Sequence, residues 1–168
     1  MLSFAGKFVR TVDAVNYRMG RIMMYFIFVM VAILLWSSIS KTFLLPSLWT
    51  LELAQFAMVA YYILGGPYSM QQGAHVRMDL FYGDWSARKK AQIDAITVLF
   101  LIFYLGVMLY GAYDSTSYSF QYGERSPTAW RPYLWPIKVV MFFGIFMMLL
   151  QSISELFKDI ATLKGVDL

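Results

Sequence analysis

The residues with the most distinctive chemistry lie in one short segment, residues 73–84. It contains the only histidine of the chain, His75, followed at alternate positions by Arg77 and Asp79. A histidine beside an aspartate can act as an acid–base pair, and an arginine near an aspartate can form an ion pair. Apolar residues occupy the positions between them, so one side of the segment is expected to be buried and the other to be wet or paired.

Other groups on which enzymes depend are absent from the sequence. There is no cysteine, which excludes thiolate-bound zinc and iron–sulfur clusters, and a single histidine cannot hold a haem between two histidines. No glycine-rich phosphate-binding motif and no nucleophile motif accompanies His75. We therefore predict that the chain is not an enzyme and binds no metal or cofactor.

The composition is that of an integral membrane protein. Of its 168 residues, 60% are hydrophobic and only 14% are charged, whereas soluble domains have about 45–50% and about 25%. This length suits one compact helical membrane domain. The basic residues cluster at the ends of apolar runs, which favours a membrane surface over nucleic acid as their partner.

Four apolar runs are long enough to cross a bilayer, since about 20 helical residues span its ~30 Å hydrocarbon layer. We therefore predict an all-α domain of four transmembrane helices. Their expected bounds are residues 22–40, 48–68, 93–113 and 135–156, with a middle loop at 69–92 and a longer loop at 114–134. The fourth helix opens at Trp135–Pro136, where a proline in the first turn is favoured. The first residues of the longer loop can prolong the third helix beyond the membrane.

A basic segment, residues 1–21, precedes the first span. Its apolar residues recur at helical spacing, while its cations gather on another face: Lys7, Arg10, Arg18 and Arg21. This pattern predicts an amphipathic helix lying on an anionic membrane surface. The segment and the apolar run after it are both longer than the corresponding parts of a signal peptide, so we expect them to be retained.

The distribution of lysine and arginine predicts the orientation. The N-terminal segment, the middle loop and the tail together carry more cations than the two opposite loops, which places both termini and the middle loop in the cytoplasm. In the middle loop, a tryptophan and three successive cations suit the headgroup level of an anionic leaflet: Trp85, Arg88, Lys89 and Lys90.

Glu52 is a charged residue about one turn inside the second span. A carboxylate there is costly in hydrocarbon, so it should face protein or water. Two interpretations remain open. Glu52 is either solvated or paired near the membrane edge, or buried against a partner helix.

The order of these features resembles the DctQ-like small permease subunit of tripartite ATP-independent periplasmic (TRAP) transporters. The most specific part is His-Val-Arg-Met-Asp at residues 75–79, which is similar to the His-Val-Arg-x-Asp of that family. The resemblance covers nearly the whole chain, including an early acid in the second span and the glycines at its end. The family often has an acid or glycine where this chain has Ala74.

The resemblance implies a scaffold subunit in the bacterial inner membrane. Such a subunit would pack against a large permease that carries the substrate and sodium sites, and a periplasmic binding protein would deliver the substrate, typically a carboxylate. No sodium would bind to the small subunit itself. The expected structural or partner-contact residues are Glu52, Gly65, His75, Arg77, Asp79, Trp135 and Pro136.

The loop of residues 114–134 has exposed aromatic and charged residues of the types found at interaction surfaces. On this basis the binding protein would touch Glu124, Arg125, Trp130 or Arg131, although an ordinary hydrated loop fits the sequence equally well. Two other functions of the chain also remain open. They are a self-assembling four-helix channel, which would need a continuous polar stripe, and a membrane assembly or regulatory factor.

Overall fold

The computed structural model describes residues 2–74 and 87–165, and this part of the chain is built from helices. The helices are α1 (Leu2–Phe43), α2 (Thr50–Gln71), α3 (Ala87–Tyr122) and α4 (Trp135–Lys164). Four of the residues singled out by sequence lie outside the described residues: His75, Arg77, Asp79 and Trp85.

Helix α1 differs from the prediction of a separate N-terminal helix on the membrane surface. Residues 2–43 form one helix of 42 residues, about 63 Å long, with no turn before the first span. A lone glycine does not end a helix, and Gly20 instead lies against the ring of Tyr68 in α2. In addition, Val9, Val12 and Asn16 are buried within the chain. This face of the helix therefore packs on protein rather than on lipid headgroups.

Three of the described helices are long and apolar enough to cross a membrane. The candidate spans are Ala5–Phe43, Gln92–Tyr122 and Trp135–Lys164. Helix α2 is not among them, because polar residues such as Glu52 and Gln55 lower its mean hydropathy. That α2 crosses the membrane therefore stays a prediction. Helix α3 continues to Tyr122, which confirms that the third helix extends past the predicted end of its span.

Helix α4 holds the other helices together. It packs against α1, α2 and α3, whereas α3 packs mainly against α4 alone. Large apolar side chains of α1 and α3 consequently remain uncovered, such as Phe28 at 68% and Phe103 at 73% exposure. A surface of this kind is typical of a chain that is covered by lipid or by a partner protein.

A close approach between α2 and α4 involves Gly144. Pro67 has no N–H, so the Ile63 carbonyl one turn earlier in α2 lacks its helical hydrogen bond. That carbonyl faces Gly144 of α4, where an added Cβ would lie 3.2 Å from the Ile63 oxygen and 2.2 Å from Ile63 Cγ2. The glycine thus lets the two backbones approach, as small residues do at helix interfaces in membranes.

Candidate functional site

A partly buried polar network, here called the inner junction, joins α1, α2 and α4 at the end of the bundle that carries the N-terminus. Its centre is the Asp13 carboxylate. Oδ1 of Asp13 accepts hydrogen bonds from Gln151 Nε2 at 3.0 Å and Ser154 Oγ at 3.1 Å, and Oδ2 pairs with Lys158 Nζ at 2.8 Å. From α2, Gln71 Nε2 donates to the Asp13 carbonyl oxygen at 3.2 Å. One aspartate therefore ties three helices together.

Gln151 connects the remaining polar groups of the inner junction. Its Nε2 also donates to Glu155 Oε1 at 2.9 Å, and its Oε1 accepts from Asn16 Nδ2 at 2.7 Å. Both acceptors of Nε2 are carboxylates, which only accept hydrogen bonds. The Gln151 amide must therefore turn its NH2 group toward them and its oxygen toward Asn16. Gln151 is fully buried and Asn16 is only 1% exposed. Among the described residues there is no group of three or more acidic, histidine or cysteine side chains that could hold a metal ion.

A second polar cluster, here called the outer junction, lies where α1 ends and α2 begins. Ser47 hydrogen-bonds with Ser40 at 3.1 Å and with Thr50 at 3.0 Å, and Thr50 donates to Ser37 at 3.1 Å. Thr50 is fully buried. These hydroxyls satisfy one another at a tight connection and hold the start of α2 against α1.

Glu52 extends the outer junction to the loop between α3 and α4. Only 5% of the residue is exposed. Its Oε1 accepts a hydrogen bond from Ser126 Oγ at 2.5 Å and another from Thr128 Oγ1. Its other oxygen, Oε2, is buried and has no hydrogen-bond partner in the described part of the chain. Glu52 thus lies beneath the chain's own loop.

Residues 123–134 form a small ordered loop above Glu52. Ser126 N donates to the Pro132 carbonyl at 2.9 Å, and Leu134 N donates to the Glu124 carbonyl at 3.0 Å. The Arg125 guanidinium lies 4.1 Å from the centroid of the Tyr133 ring and also contacts its hydroxyl. These contacts close the base of the loop.

The four loop residues proposed from sequence as partner contacts fall into two pairs. Glu124 is engaged within the chain, with Oε2 at 2.5 Å from Lys138 Nζ and 2.7 Å from Ser119 Oγ, and Arg125 is stacked on Tyr133. Trp130 and Arg131 lie exposed at the far side of the loop. The structure therefore separates residues that shape the loop from residues that it presents.

The Glu124–Lys138 ion pair is expected to make the structure of the loop sensitive to acid. Hydrogen bonds from Lys138 and then from Ser119 hold the pKa of the Glu124 carboxyl below its ordinary value of 4.5. Because the folded pKa is the lower one, this pair stabilises the fold fully above pH 4.5, and its contribution is lost as pH falls through the folded pKa.

We therefore expect a change of tryptophan emission below pH 4.5 in the wild-type protein and its absence in Glu124→Gln. The control Asp114→Asn, which removes an exposed carboxylate of α3, should keep the acid step. An acid step that persists unchanged in Glu124→Gln would contradict this assignment.

The other predicted site residues lie apart from both junctions. Gly65 lines a groove of about 620 Å³ between α1 and α2, together with Tyr61, Tyr62 and Met23. Trp135 begins α4, and its ring centroid is 5.1 Å from that of Phe120.

Pro136 lies in the first turn of α4, as expected. The four cations of the N-terminal segment are exposed, as is Lys89, while Lys90 is half-buried. The Arg21 guanidinium lies over the Tyr17 ring at 5.5 Å. The side chain of Arg88 is outside the described residues.

Sequence reasoning did not single out Asp13, Asn16 or Gln151. A signal was present in α4, where Gln151, Ser154, Glu155 and Lys158 recur at helical spacing and so share one face. Such a polar face at the end of an apolar run needs a polar partner. The partner is Asp13 of α1.

A family model for the DctQ component of tripartite ATP-independent periplasmic transporters matches residues 17–162. The chain belongs to the DctQ family. The match extends from α1 into the last turns of α4 and confirms the resemblance found in the sequence. No curated protein and no solved structure gives a significant match to the chain.

Membership of the DctQ family makes the chain the small permease component of a TRAP transporter. The family is known as a transporter component, not as an enzyme family. It implies association with a large permease and with a substrate-binding protein. The apolar helices of the chain agree with integration into a membrane.

Proposed function

We propose that this DctQ component is a non-catalytic scaffold of an ion-gradient-driven TRAP transporter for a small organic carboxylate. In this proposal the chain crosses the bacterial inner membrane four times with both termini in the cytoplasm. The large permease carries the substrate and sodium sites and moves against it. The middle-loop residues Arg77 and Asp79 pair locally or with the large permease.

The observation that supports a scaffold is that the buried polar side chains bond to other groups of the same chain. Buried polar side chains in the described residues tie the chain's helices and loop to each other, as Gln151 does for α1 and α4 and Glu52 for α2 and the loop. Apolar side chains of α1 and α3, by contrast, face outward. A rigid body with an uncovered apolar surface is suited to supporting a larger membrane protein.

Reconstitution into liposomes tests this proposal. With a sodium gradient and a loaded binding protein, we expect carboxylate uptake only when the chain and the large permease are both present. Liposomes with the large permease alone, and liposomes with the chain alone, are the matched controls. Uptake by the chain alone would refute the scaffold role, and full uptake without the chain would show that it is an assembly or regulatory factor.

A further inference from the structure

The groove of about 620 Å³ between α1 and α2 is here called the interhelix groove. Two glycines of its wall show how it is shaped. At Gly20 the two helices touch, since an added Cβ would overlap the ring of Tyr68. At Gly65, by contrast, an added Cβ would meet nothing within 4 Å among the described residues. The two helices therefore leave an open space beside Gly65 that the described side chains do not fill.

The interhelix groove changes in polarity along its length. Its wider part is lined mainly by thioether and aromatic side chains and by one glycine: Met23, Met24, Tyr61, Tyr62 and Gly65. Ser69 and Gln72 line its other part, where α2 ends, and both side chains have hydrogen-bond donors. Between Tyr61 and Ser69 the helix rises about 12 Å. A groove with one apolar and one polar end is suited to an amphiphilic molecule.

Arg21 places a positive charge beside the polar end of the interhelix groove. It follows Gly20 in α1, and its guanidinium lies 5.5 Å from the centre of the Tyr17 ring. That ring is 5.8 Å from the ring of Tyr68, which belongs to the groove wall. No carboxylate of the described residues forms an ion pair with Arg21. A guanidinium held in this way keeps N–H groups for an anion, and its geometry suits a phosphate.

The position of Arg21 along α1 matches the level of lipid phosphates. Arg21 directly precedes Ile22, where the first predicted span begins, so it is expected at the boundary between hydrocarbon and headgroups. Ser69 and Gln72 follow the predicted end of the second span at residue 68. Both helices therefore place their polar groups at the same end of the groove. Basic pockets of this kind between membrane helices bind anionic lipid headgroups.

The dimensions of the interhelix groove favour a lipid chain over a helix of a partner protein. A helix with its side chains is about 10–12 Å wide, so a volume of 620 Å³ holds roughly one turn of it. Sites for small molecules have volumes of about 300–1,000 Å³. Met24 and Tyr62, at the mouth of the groove, are 51% and 68% exposed. A flexible acyl chain can therefore enter from the lipid layer without separating α1 from α2.

We propose that the interhelix groove binds one anionic phospholipid, with its phosphate at Arg21 and one acyl chain beside Gly65. Ser69 and Gln72 donate hydrogen bonds to the headgroup or to its ester oxygens. The bound chain fills the space that α1 and α2 leave between them and so stabilises their packing. This binding goes beyond the scaffold role, because it needs a membrane around the chain but no transported substrate.

Native mass spectrometry tests the acyl-chain part of the site. The purified chain and its complex with the large permease are titrated with phosphatidylglycerol, and we expect one tightly bound lipid per chain in both. Gly65→Phe places a ring in the groove from a position with free space around it, and should raise Kd at least about tenfold. The matched control is Gly106→Phe in α3, where an added Cβ also meets nothing within 4 Å. Its Kd should stay within about twofold of wild type.

Arg21→Gln tests the headgroup part of the site and leaves the shape of the groove unchanged. Loss of the cation should raise the Kd for phosphatidylglycerol about fivefold and change the Kd for phosphatidylcholine, which has no net charge, less than about twofold. The control Arg10→Gln removes an exposed cation of α1 that does not line the groove and should have no effect. An equal Kd for the two lipids in the wild-type chain would overturn the specificity for an anionic headgroup.

Two further outcomes would overturn the lipid site. An unchanged Kd in Gly65→Phe would place the lipid elsewhere on the chain. Phosphatidylglycerol that binds to the chain alone but not to its complex would assign the groove to the large permease. Failure of the wild-type chain to co-purify with a large permease would instead overturn the scaffold role, and the expected changes of Kd in the chain alone would still support the lipid site.

Discussion

Replacing Gly144 by alanine is expected to destabilise the chain by about 1–3 kcal/mol, the usual effect of adding a methyl group to a filled interface. The new Cβ would lie 2.2 Å from Ile63 Cγ2, and 3.2 Å from the Ile63 carbonyl oxygen. The side chain of Ile63 can rotate, but its carbonyl belongs to the backbone of α2. Helices α2 and α4 therefore have to separate, and α4 is the helix that packs against all three others.

Thermal unfolding of the purified chain in detergent, followed by circular dichroism, measures this effect. The matched control is Gly106→Ala in α3, where an added Cβ meets nothing within 4 Å. Alanine favours a helix over glycine by about 0.8–1.0 kcal/mol, so the control should be neutral or slightly more stable. Equal stability of Gly144→Ala and Gly106→Ala would contradict the close packing of α2 on α4.

The bounds of a helix could be predicted from the sequence where the helix begins or ends together with a hydrophobic run. Trp135–Pro136 begins α4 as expected, because proline suits the first turn. Elsewhere the helices continue past the predicted spans, since hydropathy reports the thickness of the hydrocarbon layer and not the end of the helix. Thus α4 continues to Lys164, eight residues past the expected end of its span at 156, because its later turns have polar partners in α1.

The continuity of α1 shows why the N-terminal segment was harder to interpret. The cations Lys7, Arg10, Arg18 and Arg21 do form an exposed face, as the pattern indicated. The side of α1 that packs within the chain is mixed, since Val9, Val12 and Asn16 are buried there and Asp13 is half-buried. Periodicity alone does not distinguish a lipid surface from a helix partner that is itself polar. The deciding residues lie on α4, some 135 positions away from Asn16.

Glu52 illustrates the same difficulty at the other end of the bundle. Its position within a predicted span showed that it needs a polar environment, and the structure supplies one. Its partner Ser126 is 74 residues away and belongs to a common residue type in a polar loop. A single sequence contains no information about that pairing, so the acid was recognisable and its role beneath the loop was not.

Replacing Gln151 by leucine is expected to loosen the inner junction. Leucine fills a similar volume but leaves Asn16 Nδ2 without its acceptor and removes one donor from Asp13 and one from Glu155. A buried polar group left without a partner costs about 1–3 kcal/mol. The N-terminal half of α1 should therefore detach from α4 more readily than α1 detaches from α2.

Hydrogen exchange of the purified chain, measured separately for residues 5–20 and for residues 25–40, resolves this difference. In Gln151→Leu we expect faster exchange in the first segment only. The control Gln121→Leu makes the same chemical change at an exposed position of α3 and should leave exchange in α1 unchanged. Uniform exchange in both segments of Gln151→Leu would show that the network does not hold α1 to α4.

A double-mutant cycle then tests whether Asn16 and Gln151 act as a pair. Asn16→Leu alone should also destabilise the chain, because it removes the donor to Gln151 Oε1. With both residues replaced, neither one leaves its partner's amide unpaired, so the loss of stability should be smaller than the sum of the two single losses by about 0.5–3 kcal/mol. Additive losses would mean that each amide acts through other neighbours. The polar contacts that hold α1 to α4 would then be those of Asp13 with Ser154 and Lys158.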